Sequence, residues 1–351
     1  MTASPTPEGR PRIVVLGGYG AVGTAVSEAL AGWFPGRVVV AGRDGGRAAA
    51  LAARLGGEVE PQQVDVGRAE DVRRVLDGAG VAVMCVERAN VEVARACLER
   101  GVDYVDVTAT PAVVRSIADL DGLAAQRGAT AALSVGLAPG VTNLLARLCH
   151  DCAPEATGID LTLCFGLGGD HGADSRRWIL DGLATSASWA RRRRRARVRL
   201  PGLGTRTAYP FPFSDQETLA AGLGIPVTTR LCFDSRVATA TIFALRPLRV
   251  LSVLRRARAT DLIEAVLSRV HTGSDAFAIR AVADVGPGRS VACTATGTGE
   301  CRTTGIVAAH VARRLVDGTG PAGVHHIDAL VDPRSFLDDL GPDTLTVEVR
   351  P

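Results

Sequence analysis

Between Arg12 and Asp44 the chain reads Arg12-Ile13-Val14-Val15-Leu16, then Gly17-Gly18-Tyr19-Gly20-Ala21-Val22-Gly23. A helical stretch from Thr24 to Leu30 follows, and then Arg37-Val38-Val39-Val40-Ala41-Gly42-Arg43-Asp44. A β-branched run that ends in glycines, an amphipathic segment and a second β-branched run predict strand, tight turn, helix and parallel strand. In this reading Gly18 permits the sharp turn and Gly20 lets the backbone approach a pyrophosphate. Gly23 lets the helix pack closely on the strand. Tyr19, Ala21 and Val22 belong to the same turn, and the helix's first amides and positive dipole end face the phosphates. Glycine patterns arise by chance in a chain with 40 glycines, so the flanking strands and helix carry the assignment. They predict a bound dinucleotide.

The end of the second strand addresses which one. An NAD-specific site places a carboxylate roughly 20 residues past the glycines, on the ribose hydroxyls. Here Arg43 stands at that point and Asp44 follows it. An arginine pairs a 2′-phosphate and stacks on adenine, and Arg47 lies one helical turn on. NADP is therefore favoured over NAD. The alternative, a solvated Arg43 with Asp44 on the ribose, stays open.

At 351 residues the chain has room for two domains or one with a long insertion, and 46% hydrophobic residues suffice for a core. No run approaches a membrane span. Met1 to Arg10 is polar with no apolar signal core, so secretion is not expected and a cytoplasmic location is. A net charge of +3 gives no reason to expect nucleic acid. Eight scattered cysteines read as buried hydrophobes of a reducing compartment. Cys149-His150-Asp151-Cys152 has half the spacing of a zinc site but no second pair, so no metal is expected. The chain has no lysine. That excludes a Schiff-base lysine, a Walker loop, and the Tyr-x-x-x-Lys pair of short-chain dehydrogenases.

Farther on, apolar runs and helical stretches alternate as a doubly wound α/β sheet requires. Val64-Asp65-Val66 reads as the third strand's end, with Asp65 and Val66 beside adenine. Val81–Val86, Tyr104–Val107 and Ala129–Val135 read as the fourth to sixth strands, and Pro111–Arg127 as one helix. Ligands lie beyond the carboxyl ends of such strands. Cys85, Val86, Thr108, Pro139 and Gly140 are thereby placed around the nicotinamide half. Residues 1–150 form the expected dinucleotide-binding domain, 151–300 a second α+β domain, and 301–351 a segment returning to the first. Strands are expected at Gly158–Phe165, Val227–Phe233, Phe277–Val285, Val291–Thr296 and Leu345–Val349.

Several motifs together resemble the saccharopine dehydrogenase-like family. They are the glycine turn, Ala41-Gly42-Arg43, Ala96-Cys97-Leu98 with Gly101-Val102-Asp103-Tyr104-Val105-Asp106, and Ala138-Pro139-Gly140-Val141-Thr142-Asn143. The likeness continues more loosely through Gly169-Asp170-His171-Gly172, Trp178 and Tyr209 to Asp215. The resemblance implies an NADP-dependent oxidoreductase: a Rossmann domain with an inserted mixed-sheet domain that carries substrate contacts and often a dimer interface, here a homodimer. It also implies that Thr303 to Leu315 return to the Rossmann domain. Saccharopine reductases carry a Pro-Tyr loop after the fourth strand; here Val86-Glu87-Arg88-Ala89-Asn90 replaces it, which argues against saccharopine itself as substrate.

For catalysis, a general acid is expected near the hydride. His171, in a Gly-Asp-His-Gly turn, reads as a functional imidazole or as a turn hydrogen-bonder. Tyr209 and Asp215 flank Pro210-Phe211-Pro212-Phe213, which roofs a substrate pocket or forms a packed crossover. Glu87 and Arg88 face substrate or solvent. The run Arg191 to Arg195, with Arg197 and Arg199, is a solvated helix end or a basic face for an anionic substrate or a carrier-protein phosphopantetheine. The leading expectation is hydride transfer at a C=N or C–N bond of an amino-acid-like metabolite. The alternatives are a trans-acting enoyl (C=C) reductase of secondary metabolism and a non-catalytic NADP(H) sensor.

Overall fold

A computed structural model describes residues 10–56, 58–168, 182, 195–245 and 273–350. The chain forms two compact units, residues 1–140 with 301–331 and residues 141–300 with 332–351.

The first unit is built on a parallel sheet of seven strands. β1 (Arg12–Leu16), β2 (Val38–Gly42), β3 (Glu60–Gln63), β4 (Ala79–Met84), β5 (Asp103–Asp106), β6 (Thr130–Leu133) and β13 (Gly323–His326) lie in the order β13-β6-β5-β4-β1-β2-β3. Parallel neighbours need crossovers, supplied by α1 (Ala21–Trp33), α2 (Gly45–Leu55), α3 (Ala69–Val75), α4 (Asn90–Leu98), α5 (Pro111–Ala118) and α6 (Asp121–Arg127). Helices on both faces bury the central strands, and Ile13 to Leu16 have no exposed surface. β1 pairs with β2 on one side and β4 on the other. The strand order reverses there, so a crevice opens beyond its carboxyl end.

Two departures from the sequence reading have local causes. The stretch Pro111–Arg127 is two helices, broken at Asp119-Leu120, where acidic and glycine residues of low helix propensity cluster. β3 ends at Gln63, one residue before Val64-Asp65-Val66; its polar sequence suits an edge strand.

The second unit holds a mixed sheet in the order β14-β12-β11-β7-β10-β9-β8. Its strands are β7 (Gly158–Phe165), β8 (Ala196–Leu200), β9 (Gly204–Pro210), β10 (Val227–Phe233), β11 (Ala276–Gly286), β12 (Arg289–Thr298) and β14 (Thr346–Arg350). β7 and β10 run parallel, and the remaining neighbours are antiparallel. α7 (Thr142–Asp151) packs on β11 and β12; α8 (Asp215–Leu223) and α9 (Arg236–Leu245) pack on β10. α10 (Glu300–Val316) and α11 (Ile327–Leu330) flank β13 in the chain; α12 (Pro333–Asp339) packs against α7.

The unit boundaries thus differ from 1–150, 151–300 and 301–351. α7 belongs to the second unit because its apolar face lies on β11 and β12. Residues 332–351 also belong there, because β14 completes the second sheet against β12. Only 301–331 rejoin the first unit, through α10 and β13. Among the described residues no helix is long and apolar enough to cross a membrane, and no cluster of His, Cys, Asp and Glu could hold a metal ion.

Candidate coenzyme site

The turn after β1 is stricter than its sequence suggests. The left-handed residue is Gly17, at φ 79°, so the sharp bend falls one place before Gly18. Gly18 is required for space, since a Cβ there would lie 2.9 Å from the Val15 carbonyl oxygen. At Gly23 a Cβ would fall 2.1 Å from the Gly17 oxygen and 2.8 Å from its carbonyl carbon, so no side chain fits between helix and turn. Gly20 caps α1 with no side-chain hydrogen bond. The first turn, Ala21, Val22 and Gly23, therefore presents its amides and the helix's positive end without a built-in counter-anion. Val86 closes the other side, its Cγ1 only 2.5 Å from where a Gly17 Cβ would stand.

Tyr19 leaves this turn and lies across the end of β2. A Cβ on Gly42 would be 2.4 Å from the ring, so the tyrosine occupies the space that a side chain there would fill. Its hydroxyl accepts the Asp44 amide at 2.8 Å, and the Arg47 guanidinium lies 4.7 Å over the ring. Arg47 also donates to the Tyr19 carbonyl at 3.4 Å. Asp44 is the N-cap of α2: its Oδ1 accepts the Arg47 amide at 3.0 Å. The carboxylate that an NAD reading assigns to the ribose is thus already engaged in holding a helix start. Gln63 donates to the Arg43 carbonyl at 3.0 Å, which fixes that backbone while the Arg43 side chain stays exposed. Among the described residues neither Arg43 nor Arg47 has an acidic partner within ion-pair distance, so two uncompensated guanidinium groups stand at the end of β2.

The loops after β3 and β4 meet over the intervening strands. Asp65 Oδ1 accepts the Gly67 amide at 2.9 Å and faces Arg88 at 3.6 Å; Val66 is buried in the core. Since β1 and β2 separate β3 from β4, this ion pair spans both strand ends. Arg88 is therefore directed toward the end of β3. Its neighbour Glu87 turns the opposite way, accepting from the Thr108 hydroxyl at 2.9 Å and the Thr110 hydroxyl at 2.5 Å. The part-exposed Cys85 donates its amide to the Leu16 carbonyl, and desolvation, with Asp106 nearby, pushes its thiol well up, so it stays a neutral wall.

Behind that wall is a polar network that sequence reading missed. Asp106 is fully buried and accepts from the Tyr104 hydroxyl at 2.6 Å, Asn90 Nδ2 at 3.0 Å and the Thr108 amide at 2.8 Å. Burial raises its pKa to about 6, against the opposing pull of these donors. The network ties α4, β5 and the Thr108 loop together. Farther along the same edge, Ser134 Oγ lies 2.8 Å from His326 Nδ1, and burial lowers the pKa of that imidazole. Gly140, at φ 137°, folds back on the Ser134 carbonyl, so Pro139 and Gly140 sit beside the end of β6.

The three residues singled out for catalysis are not shown to converge. His171 and Trp178 lie outside the described residues, as do Arg191 to Arg194. Tyr209 is on β9, its ring stacked on Phe243 at 4.4 Å and 7°. Asp215 is buried at the start of α8, where the helix dipole favours a carboxylate. The next residue, Gln216, accepts from the Thr229 amide and hydroxyl on β10. Phe211 and Phe213 are core residues, rings 4.9 Å apart, which is the packed-crossover arrangement.

Residues 13–132 match the family model described as the saccharopine dehydrogenase NADP binding domain. That stretch of the chain is similar to the domain so described. Apo saccharopine dehydrogenase (L-Glu forming) from Saccharomyces cerevisiae superimposes with a TM-score of 0.67 at 15% identity, covering 97% of this chain and 100% of that one. A likeness of that kind shows that the chain shares that protein's fold over nearly its whole length. Two looser matches are dipicolinate-bound dihydrodipicolinate reductase from Paenisporosarcina sp. TG-14 and GenD2 from gentamicin A biosynthesis in complex with NAD. The reductase has a TM-score of 0.42 and 11% identity over 91% of this chain and 98% of that one. GenD2 has 0.43 and 13% over 99% of each. Both scores are too low to carry an argument. No curated protein matches the sequence.

Proposed function

We propose that this protein is an NADP-dependent oxidoreductase that transfers a hydride to or from a C=N or C–N bond of an amino-acid-like metabolite. The observation that carries the coenzyme part is the pairing of a side-chain-free helix start after β1 with Arg43 and Arg47 at the end of β2. The turn Gly18 to Gly23 would hold the pyrophosphate through main-chain amides. Arg43 and Arg47 would hold the 2′-phosphate, with Asp44 engaged as a helix cap. Asp65 and Val66 border the adenine side, and Cys85, Val86, Glu87, Thr108, Pro139 and Gly140 the nicotinamide side. Bound NADP(H) supplies or accepts the hydride, and the protein contributes position and electrostatics. Asp106 acts through its network, keeping the Thr108 loop and Glu87 in place.

The reaction class rests on the whole-length likeness to saccharopine dehydrogenase (L-Glu forming). The test is NADPH consumption with paired amino acids and aldehydes or keto acids. Turnover that needs both amine and carbonyl supports C=N reduction. Turnover of enoyl thioesters alone replaces it with C=C reduction, and tight NADPH binding without turnover of any of these leaves a sensor.

A further inference from the structure

The second unit contains a concentration of positive charge that the coenzyme does not explain. The β8–β9 hairpin sets Arg197 opposite Thr207, and Arg195 precedes β8 on the same side as Arg197 by strand alternation. α9 lies against this hairpin through the Tyr209–Phe243 stack and brings Arg236 at its start. Between hairpin and helix is an open pocket of about 530 Å³ lined by Arg195, Arg197, Arg206, Arg236 and Tyr209, with three threonines.

Among the described residues that line it there is no carboxylate. Arg206 is fixed, its Nε donating to the Asp234 carbonyl at 3.1 Å and its Nη1 to the Thr205 carbonyl at 3.3 Å. The threonine and tyrosine hydroxyls add donors that suit oxyanions, and guanidinium forks match the oxygen spacing of carboxylates and phosphates. The volume is that of a metabolite site. We infer that this pocket binds a small molecule carrying two or more negative charges, as carboxylates or phosphates. Every residue lining this pocket belongs to the second unit, and none is among those assigned to the coenzyme.

Calorimetric titration of the full chain without coenzyme, using glutarate and inorganic pyrophosphate as probes and glutaramide as the uncharged comparison, tests it. Saturable binding of one probe at one site per chain is expected, with none of the diamide. Arg197→Gln and Arg236→Gln, measured separately, should each weaken it about tenfold or more, the effect of losing a charge-assisted hydrogen bond. Arg199→Gln, on the same strand but outside the pocket, should leave it within about twofold. Glutarate alone assigns carboxylates, and pyrophosphate alone assigns phosphates. No saturable heat from either probe, or equal losses in all three variants, overturns the proposal. NADPH titrated into the same samples keeps the two readings apart: absence of NADPH binding sinks the coenzyme site and leaves this one standing.

Discussion

Replacing Gly42 by alanine tests whether Tyr19 organises the end of the coenzyme site. Gly42 has ordinary strand backbone, so alanine adds no strain of its own. Its Cβ would stand 2.4, 2.7 and 2.8 Å from three atoms of the Tyr19 phenol. Since carbon atoms pack at roughly 3.5–4.0 Å, the ring must retreat by about 1 Å. That retreat breaks the 2.8 Å hydrogen bond from the Asp44 amide, worth about 1 kcal/mol, and disturbs the Arg47 stack, worth about 0.5–1 kcal/mol at an exposed site. The sum, about 1.5–2 kcal/mol, corresponds to NADPH binding weakened roughly 10- to 30-fold. Fluorescence titration with NADPH measures it, and a thermal melt checks that the fold persists. Tyr19→Ala removes the obstructing ring, so the double variant should bind like Tyr19→Ala alone, far from additive. Strictly additive losses, or Gly42→Ala with wild-type affinity, would refute the reasoning.

Other outcomes follow from the same geometry. Arg43→Ala should weaken NADPH about tenfold and NADH less than about twofold, because only the former carries a phosphate for the guanidinium; equal losses remove the case for NADP. Gly23→Ala puts a methyl 2.1 Å from a main-chain oxygen that cannot rotate away, so it should abolish coenzyme binding and cost several degrees in Tm; a soluble variant with intact affinity and Tm contradicts the turn geometry. Asp106 has a folded pKa of about 6, above its ordinary 3.8. The stability it lends is full below the unfolded value and is lost as pH rises through 6, about 3 kcal/mol in all. Urea unfolding of wild type minus Asp106→Asn should show the wild type losing ground from pH 4 to 7.5, and a flat difference would place the carboxyl in water.

The parallel sheet was readable because β1 and β2 are unbroken β-branched runs joined by a glycine turn, which few other folds accommodate. β3 ends three residues before Val66, where the sequence reading ends it, since Glu60-Pro61-Gln62-Gln63 has no apolar alternation and lies at the sheet edge. β13, four residues ending in His325-His326, is too short to show a strand pattern of its own; it is specified by pairing with β6 across nearly two hundred positions of chain. In the site, Arg43 and the glycines could be found by spacing. The engagement of Asp44 could not, because it depends on where Tyr19 lies. The same holds for Asp106: its partners Asn90 and Tyr104 come from different elements, so only the assembled sheet brings them together. Arg197 and Arg199 alternate on β8 as the pattern required, yet only the hairpin and α9 separate a pocket-lining arginine from its neighbour outside.

The path of the chain has a consequence for how the protein is made. The polypeptide leaves the first unit after Gly140, returns at Cys301, and leaves again after Val331. When synthesis has reached residue 300, the parallel sheet still lacks β13 and the mixed sheet still lacks β14, so β6 and β12 each present an open edge. The first sheet is complete only once β13 has emerged from the ribosome, and the second only once β14 has. A truncation that spares every coenzyme contact would still release a product with a bare strand edge, prone to pair with other copies.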